Sequence, residues 1–564
     1  MCSKLKMYIG RKLVDSLPKS FDVSPVQLKS LIQLGPSRNK NTIEMNLPLN
    51  ALENQVGIPY INQMLKLEPD DIIKNIHYEK TRSNRVLQFE INKSIFIKDV
   101  MESPIILLNE RFPMNVVVEY SSPNVAKPFH VGHLRSTIIG NFLSNLHKHL
   151  DDKVTRLNYL GDWGTQFGLI KVGVEKLNYT VDKIREKPIE RLYESYVYAN
   201  KLASVDDSIK KLAREEFLKL EKGSPKDMED WKMFISFTIE ELKNTYQRLG
   251  VEFDEYNYES MYGAREIESI ISLLNNKQII KTSADGKKVA MVNDREVAVL
   301  KSDGGTLYLL RDIAAAIDRY NKHRFDRMYY VVENGQNDHF HALQTILHML
   351  DMPWTDRLRH VKFGRIHGMS TRKGNVVFLK DILDEMREIM ASKQIKSPNT
   401  KKTAMDTETQ DILAVSCVIV NDLKQRRQRD YKFNWEKALQ ADGDTGIKLQ
   451  YTHSRLCSLQ NNSGVIPAGV CRPELVDEPE VTNIVREIGR FQDILMKTEE
   501  QLEACILVVY LFNFCNTISR ALKVLRVKNE DPVVASQRLM VFLKAKEVLN
   551  KGMKVLGLQP LQEM

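Results

Sequence analysis

From about residue 113 onward, short β-branched runs alternate with segments of helical apolar spacing, and few folds accommodate that alternation. NVVVEY, residues 115–120, is a run of the fully buried parallel-strand type. The segment HVGHLRSTIIGNFLSNLHKHL follows, with Val131, Leu134, Ile138, Phe142, Leu146 and Leu150 at helical spacing. KVTRLNYL, RMYYVVE and HVKFGRI read as further strands, with helical segments between them. Parallel strands need crossovers that cover the sheet faces, so this order predicts a doubly wound parallel sheet. Residues from about 172 to 255 are charged and helical in pattern, and are expected to form an insertion in that sheet.

The flanking regions differ in character. Residues 1 to about 110 read as a small α+β unit ending in the strand-like VLQFEIN, followed by an apolar-periodic segment through Met101. Residues 392–411, SKQIKSPNTKKTAMDTETQD, are polar and read as a linker. Beyond them IVREIGRFQDIL, ILVVYLFNFCNTISRALKVL and RLMVFLKAKEVLNKGMKVLGL predict an all-α bundle, broken by a Pro/Gly-rich loop at about 463–473. The expected division is therefore 1–110, 111–395 and 396–564.

Composition narrows the class without deciding it. Hydrophobic residues at 43% and charged residues at 27% are ordinary for a globular chain. The longest apolar run, residues 504–512, falls short of the ~20 residues of a membrane span, so no membrane association is expected. A net charge of +9 suits a polyanionic partner, although a merely basic protein carries the same signal. The six scattered cysteines read as reduced, packed thiols. The first twenty residues hold five Lys or Arg and one acid, with Leu5, Tyr8, Ile9 and Leu13 on one helical face. That pattern fits both an amphipathic transit peptide and the first helix of a folded domain, and a retained signal satisfies both.

The chemistry is concentrated in two places. In EYSSPNVAKPFHVGHLRST, residues 119–137, a strand end and a two-proline loop lead into a helix at His130, Gly132 and His133. The two imidazoles share a face of the first turn, Gly132 leaves room for a ligand, and a helix N-terminus favours phosphate. Lys127 adds a full charge nearby. A metal pair is the bland alternative, but no third ligand follows His133 at helical spacing. Downstream, HGMSTRKGNVVFL contains Ser370, Thr371, Arg372 and Lys373 between the hinges Gly368 and Gly374, a cationic loop suited to departing pyrophosphate. An isolated loop of this kind is more often a solvated turn.

Together, H-x-G-H and the later M-S loop resemble the class I aminoacyl-tRNA synthetases. The blocks SSPNVAKPFHVGHLRSTIIGN, NYLGDWGTQFGL, DGGTLYLLRDIAAAIDR, GQNDHF, MSTRKG and GDTGIKLQYTHSRL are similar, in order, to those of arginyl-tRNA synthetases. The resemblance implies a Rossmann-like nucleotide-binding catalytic core, a small α+β N-terminal tRNA-contacting domain and an all-α anticodon-binding domain. It implies a monomeric ligase that makes arginyl-adenylate from L-arginine and ATP, with Mg²⁺ carried on ATP. The arginyl group then passes to the 3′-terminal adenosine of arginine tRNA. Lys127, His130, His133, Ser370, Arg372 and Lys373 would be catalytic. Arginine would meet Ser122, Pro123, Asn124, His133, Tyr308, Asp312 and Gln336, with Glu119 as a second acidic candidate, for the α-amino group. His130, Gly132, His133, Gln336, His339 and Met369 would serve ATP. The bundle block is expected to structure the domain junction through Tyr451, His453 and Arg455.

One departure stands out. The family's usual K-M-S-K-S has Gly368 in place of its first lysine and Thr371 in place of its second. The resemblance implies that Lys127 compensates. A synthetase for another amino acid would lack Asp312 in the Y-x-x-x-D block. A small-molecule nucleotidyltransferase would not need the helical bundle, and a non-enzymatic tRNA-binding paralogue would have lost His130 or His133. The wording of the blocks is closer to the mitochondrial and fungal branch, so the mitochondrial matrix is expected, with the cytoplasm as the alternative.

Overall fold

The computed structural model describes the chain apart from residues 1, 18–22, 36–41, 51–63, 65, 81–84, 106–111, 126–128, 130, 303–304, 369–378, 397–400, 402–404 and 441–442. The N-terminal unit is an antiparallel sheet of β1 (Gln33–Leu34), β2 (Ile43–Pro48), β3 (Ile73–Lys80) and β4 (Arg85–Ile91), in the order β1-β2-β4-β3. Helix Ser3–Asp15 buries Leu5, Ile9 and Leu13, so the opening segment is part of a folded core. It also docks on the helical domain, where Lys6 Nζ meets Asp493 Oδ1 at 2.6 Å.

The central sheet is wholly parallel. It comprises β5 (Asn115–Glu119), β6 (Lys153–Leu160), β7 (Glu255–Tyr258), β11 (Arg327–Tyr330) and β12 (Leu358–His360), while β8 (Ile280–Thr282), β9 (Lys288–Val292) and β10 (Arg295–Leu300) form a separate small antiparallel sheet. Its order is β12-β11-β5-β6-β7. The predicted strand HVKFGRI is displaced: pairing with β11 covers Leu358–His360, and the chain beyond turns toward the helical domain. Gly364 there approaches the backbone of Arg429 and Asp430 so closely that a Cβ would collide.

Period-two alternation buries both faces of β5. Val116 and Val118 face the cluster that contains Leu134, Ile138, Phe142 and Leu146 of helix Val131–His149. Val117 faces Leu309, Leu310 and Ile313 of helix Tyr308–His323. The chain runs from β5 through β6 to β7 on one side and returns to β11 on the other, which puts the topological switch point between β5 and β11. Ligands of open parallel sheets bind beyond the strand C-termini at such a point.

Between β6 and β7 lies a helical insertion, Thr165–Lys176 to Pro225–Arg248, cross-linked by Lys171 to Asp227 and to Glu216 (3.0 Å). The C-terminal bundle follows as Thr407–Leu423, Gly446–Asn462, Pro479–Gln501, Ala504–Val524 and Pro532–Val555. Helix Ala504–Val524 is long and apolar enough to cross a membrane by length and composition, which the expectation drawn from the shorter uninterrupted run did not anticipate. Its apolar face is packed, with Leu507, Leu511, Phe514, Cys515 and Ile518 buried. All six cysteines are free, five of them buried. In the GDTGIKLQYTHSRL block the structural work falls to His453, whose Nδ1 is 2.8 Å from the Leu561 carbonyl, and to Gln450, which accepts from the Leu561 amide at 2.9 Å. Tyr451 and Arg455 instead stack near the surface, the guanidinium carbon 5.7 Å from the ring centre.

Candidate functional site

Beyond β5 the chain turns through Ser121 and Ser122, both left-handed, with φ of 71° and 44°. Non-glycine residues there carry strain of about 1–3 kcal/mol each and persist only where their surroundings fix them. Here they are fixed. The Ser121 amide donates to Ser136 Oγ (2.9 Å), and Ser136 Oγ donates to the Val331 carbonyl (2.7 Å). Thr137 Oγ1 donates to Ser121 Oγ at 2.8 Å. The Ser122 amide donates to Asn158 Oδ1 at 3.1 Å, while the Ser122 hydroxyl is buried with no hydrogen-bond partner among the described residues. The next residues lie alongside the end of β6: Gly161 donates to the Pro123 carbonyl (3.2 Å) and accepts from the Val125 amide (2.9 Å). Asn124 is thereby bridged to Gly161.

Asn124 faces a cavity of about 420 Å³ also lined by Trp163, Tyr196, Trp231, Glu259 and Tyr308. Tyr308, at 63% exposed, opens helix Tyr308–His323. Glu259 begins the short turn Glu259–Met261 after β7. Burial and the nearby Asp312 charge push its carboxyl up to about 7. Asp312 lies one helical turn after Tyr308, and its Oδ2 is 2.6 Å from His339 Nε2. Two carboxylates in mutual repulsion beside an aromatic ring suit a planar, permanent cation.

Glu119 stands outside the residues lining this cavity: it is 5% exposed, and its Oε2 accepts from Arg319 Nη1 at 2.5 Å. Burial raises its pKa, the Arg319 charge opposes that rise, and Arg319 itself lies over Tyr159 at 4.7 Å. Glu259, which sequence reasoning did not name, is an acidic residue that lines the cavity. No motif marked it, because it lies in an acid-rich stretch far along the chain from Asp312. Gln336 is exposed in the turn Asn334–Gln336, and His339, expected on the nucleotide side, stands against Asp312.

At the start of the H-x-G-H helix, His133 sits in the first turn of Val131–His149, its ring 5.5 Å from that of Phe129. Lys127, His130, Met369, Ser370, Arg372 and Lys373 lie outside the described residues. Their flanks converge nonetheless, since the Leu379 amide donates to the Phe129 carbonyl at 3.2 Å. Arg135, two residues past His133 and 1% exposed, binds the carbonyls of Gly364 and Arg429 (2.9 Å for the latter) and faces Asp422 at 3.2 Å. It therefore joins the signature helix, the stem of the M-S loop and the helical domain. Burial pushes the Asp422 carboxyl up to about 6 against the pull of Arg135.

Residues 104–435 match the family described as tRNA synthetases class I (R), catalytic domain, and residues 449–564 match the DALR anticodon binding domain. The chain is 36% identical to the probable mitochondrial arginine–tRNA ligase of Bos taurus, covering 98% of this chain and 99% of that protein. The chain belongs to the arginyl-tRNA synthetase family. As a family member it is a class I ligase that charges tRNA with arginine. A probable cytoplasmic arginine–tRNA ligase of Dictyostelium discoideum is 37% identical over 94% of this chain and 95% of its own length. The arginyl-tRNA synthetase structures from Plasmodium falciparum (TM-score 0.76, 23% identity, 100% of this chain and 98% of that one) and Thermus thermophilus (0.82, 17%, 99% and 100%) share the fold.

Proposed function

We propose that arginine binds with its guanidinium between Glu259 and Asp312, beside Tyr308, and its backbone end toward Asn124 and Ser122. Glu259 on the cavity wall with Asn124 and Tyr308, its carboxyl raised by burial and by Asp312 against the pull of Arg311, carries this reading, because an arriving guanidinium would favour its charged form. ATP would lie along the start of helix Val131–His149, within reach of His133 and, by motif, Lys127, His130 and the loop of Ser370, Arg372 and Lys373. Gln336 and Met369 are assigned to the nucleotide on the same basis. The arginine carboxylate attacks the α-phosphorus, a new P–O bond forms, and the bond to the β,γ-pyrophosphate breaks. A 3′-terminal ribose hydroxyl of the tRNA, the 2′-OH in class I chemistry, then displaces AMP. The helix terminus and the cationic side chains stabilise charge developing on the phosphates. Magnesium carried on ATP would supply further neutralisation of the phosphates.

The proposed division keeps an N-terminal tRNA-contacting unit, the catalytic core with its insertion, and the anticodon-binding bundle, in a monomer without membrane attachment. Exposed Tyr451 with Arg455 is a pair suited to stack on an RNA base. The mitochondrial matrix is the proposed location, with helix Ser3–Asp15 retained because its apolar face is core. A reporter fused to residues 1–30 should enter mitochondria; a diffuse cytosolic signal would overturn that assignment. The pocket itself is tested by arginine charging in Asp312→Ala, which should be lost while the protein stays folded.

A further inference from the structure

Asp162 lies in the NYLGDWG block, and neither the phosphate chemistry nor the cation contacts give it a role. It is 6% exposed, and both its oxygens engage one residue. Oδ1 accepts from the Ser260 amide at 3.0 Å and Oδ2 from the Ser260 hydroxyl at 2.6 Å. Ser260 follows Glu259 in the three-residue turn Glu259–Met261. So short a turn has little stability of its own and takes its orientation from what holds it. The residue before Asp162, Gly161, carries the bridge to Asn124. The Asp162 carbonyl accepts from Trp231 Nε1 of the insertion at 3.2 Å, and Trp163 meets Trp231 edge-on with ring centres 6.0 Å apart. Residues 161–163 thus connect Asn124, Glu259 and the insertion, three walls of one cavity.

We propose that Asp162 is a positioning residue for arginine recognition, fixing the Glu259 carboxylate relative to Asn124 and anchoring both to the helical insertion. The inference rests on the assignment of Glu259 to the guanidinium. Bidentate recognition of a planar cation tolerates errors of only about 0.5 Å and 10–20°, so a carboxylate on an unanchored turn would lose most of its selectivity. A buried carboxylate is unfavourable unless its hydrogen bonds are met, and Ser260 meets them through two donors. The charge acts as well as the geometry, since Asp162 adds to the negative field at Glu259. The Asp162 side chain holds Ser260, while the Gly161 backbone carries the bridge to Asn124, so the side chain's effect reaches the substrate at the guanidinium end, away from the reacting carboxylate. It should therefore strengthen ground-state and transition-state binding alike.

The test uses the full-length protein in aminoacylation with Asp162→Ala, Ser260→Ala, Glu259→Gln and the Asp162→Ala/Glu259→Gln double variant. Asp162→Ala should raise the arginine KM roughly ten- to a hundredfold, the scale of one charge-assisted hydrogen bond. Its kcat at saturating arginine and its ATP KM should stay within about twofold. Ser260→Ala should shift the arginine KM in the same direction by a smaller factor. The double variant should be little worse than the more impaired single, because both changes remove one contact. An unchanged arginine KM in Asp162→Ala beside an impaired Glu259→Gln would overturn this role alone. An unchanged KM in Glu259→Gln would overturn the pocket assignment and this role together. Fully multiplicative losses, or equal losses in kcat and ATP KM, would mark Asp162 as a general structural residue and refute the proposal. If Asp162→Ala does not fold, Ser260→Ala decides: a wild-type arginine KM there overturns it.

Discussion

Replacing Glu259 with Gln separates what this site loses in the free protein from what it gains with substrate. The Glu259 carboxyl is raised from 4.5 to about 7 by burial and by the Asp312 charge. At about 1.36 kcal/mol per pKa unit, keeping it ionised costs on the order of 3 kcal/mol. The sign follows from the raised folded-state pKa of an acid: the penalty is absent below 4.5, grows as pH rises toward about 7 and is complete above it. Gln removes the charge at nearly constant volume. The variant should therefore be more stable than its parent at about pH 8, by up to roughly 2–3 kcal/mol, and equal to it below about pH 4.5. Arginine reverses the comparison. Losing a hydrogen bond between charged partners costs about 1.5–3 kcal/mol, or roughly 10- to 150-fold in affinity. The assay is urea unfolding at two pH values with and without arginine, reading midpoints because a chain of several domains does not unfold in one step. The parent's arginine KM should also fall as pH rises through about 7, with no such step in the variant. A variant less stable than its parent at high pH, or one with an unchanged arginine KM, would refute the reasoning.

Two further outcomes follow from the phosphate end. Arg135→Met leaves the Asp422 carboxylate buried without its cation and should lower stability by about 3–5 kcal/mol, read as a reduced urea midpoint; an unchanged midpoint would show that the pair carries no net stability. Lys127→Ala should slow adenylate formation in single-turnover kinetics far more than it weakens arginine binding, because its charge serves the leaving phosphates. Equal losses in both would remove it from the chemistry.

The parallel sheet was legible because its strands are buried on both faces and its helices keep one apolar stripe, patterns local enough to read from residues 115–160 alone. Asn124, Tyr308 and Asp312 were legible as members of ordered blocks, and the structure brings Asn124 and Tyr308 to one cavity with Asp312 beside them. What escaped depended on distant partners. A carboxylate at the end of a central strand is a natural ligand for a cation, and nothing near Glu119 announces that Arg319, 200 residues on, neutralises it. Glu259 follows an edge strand without a motif, and its raised carboxyl depends on burial and on the charge of Asp312, far along the chain. The displaced strand β12 has the same origin. Its continuation is drawn off by the segment around Arg429 and Asp430, which pairing patterns within HVKFGRI do not encode.

The proposed coupling of an acidic guanidinium pocket to adenylate chemistry at the H-x-G-H helix is tested most directly by aminoacylation of bulk tRNA by the purified protein, with ATP, Mg²⁺ and each amino acid offered singly. Charging with arginine alone, abolished in Asp312→Ala with the fold intact, is the predicted result. Charging of arginine undiminished in Asp312→Ala, or charging with a different amino acid, would contradict it.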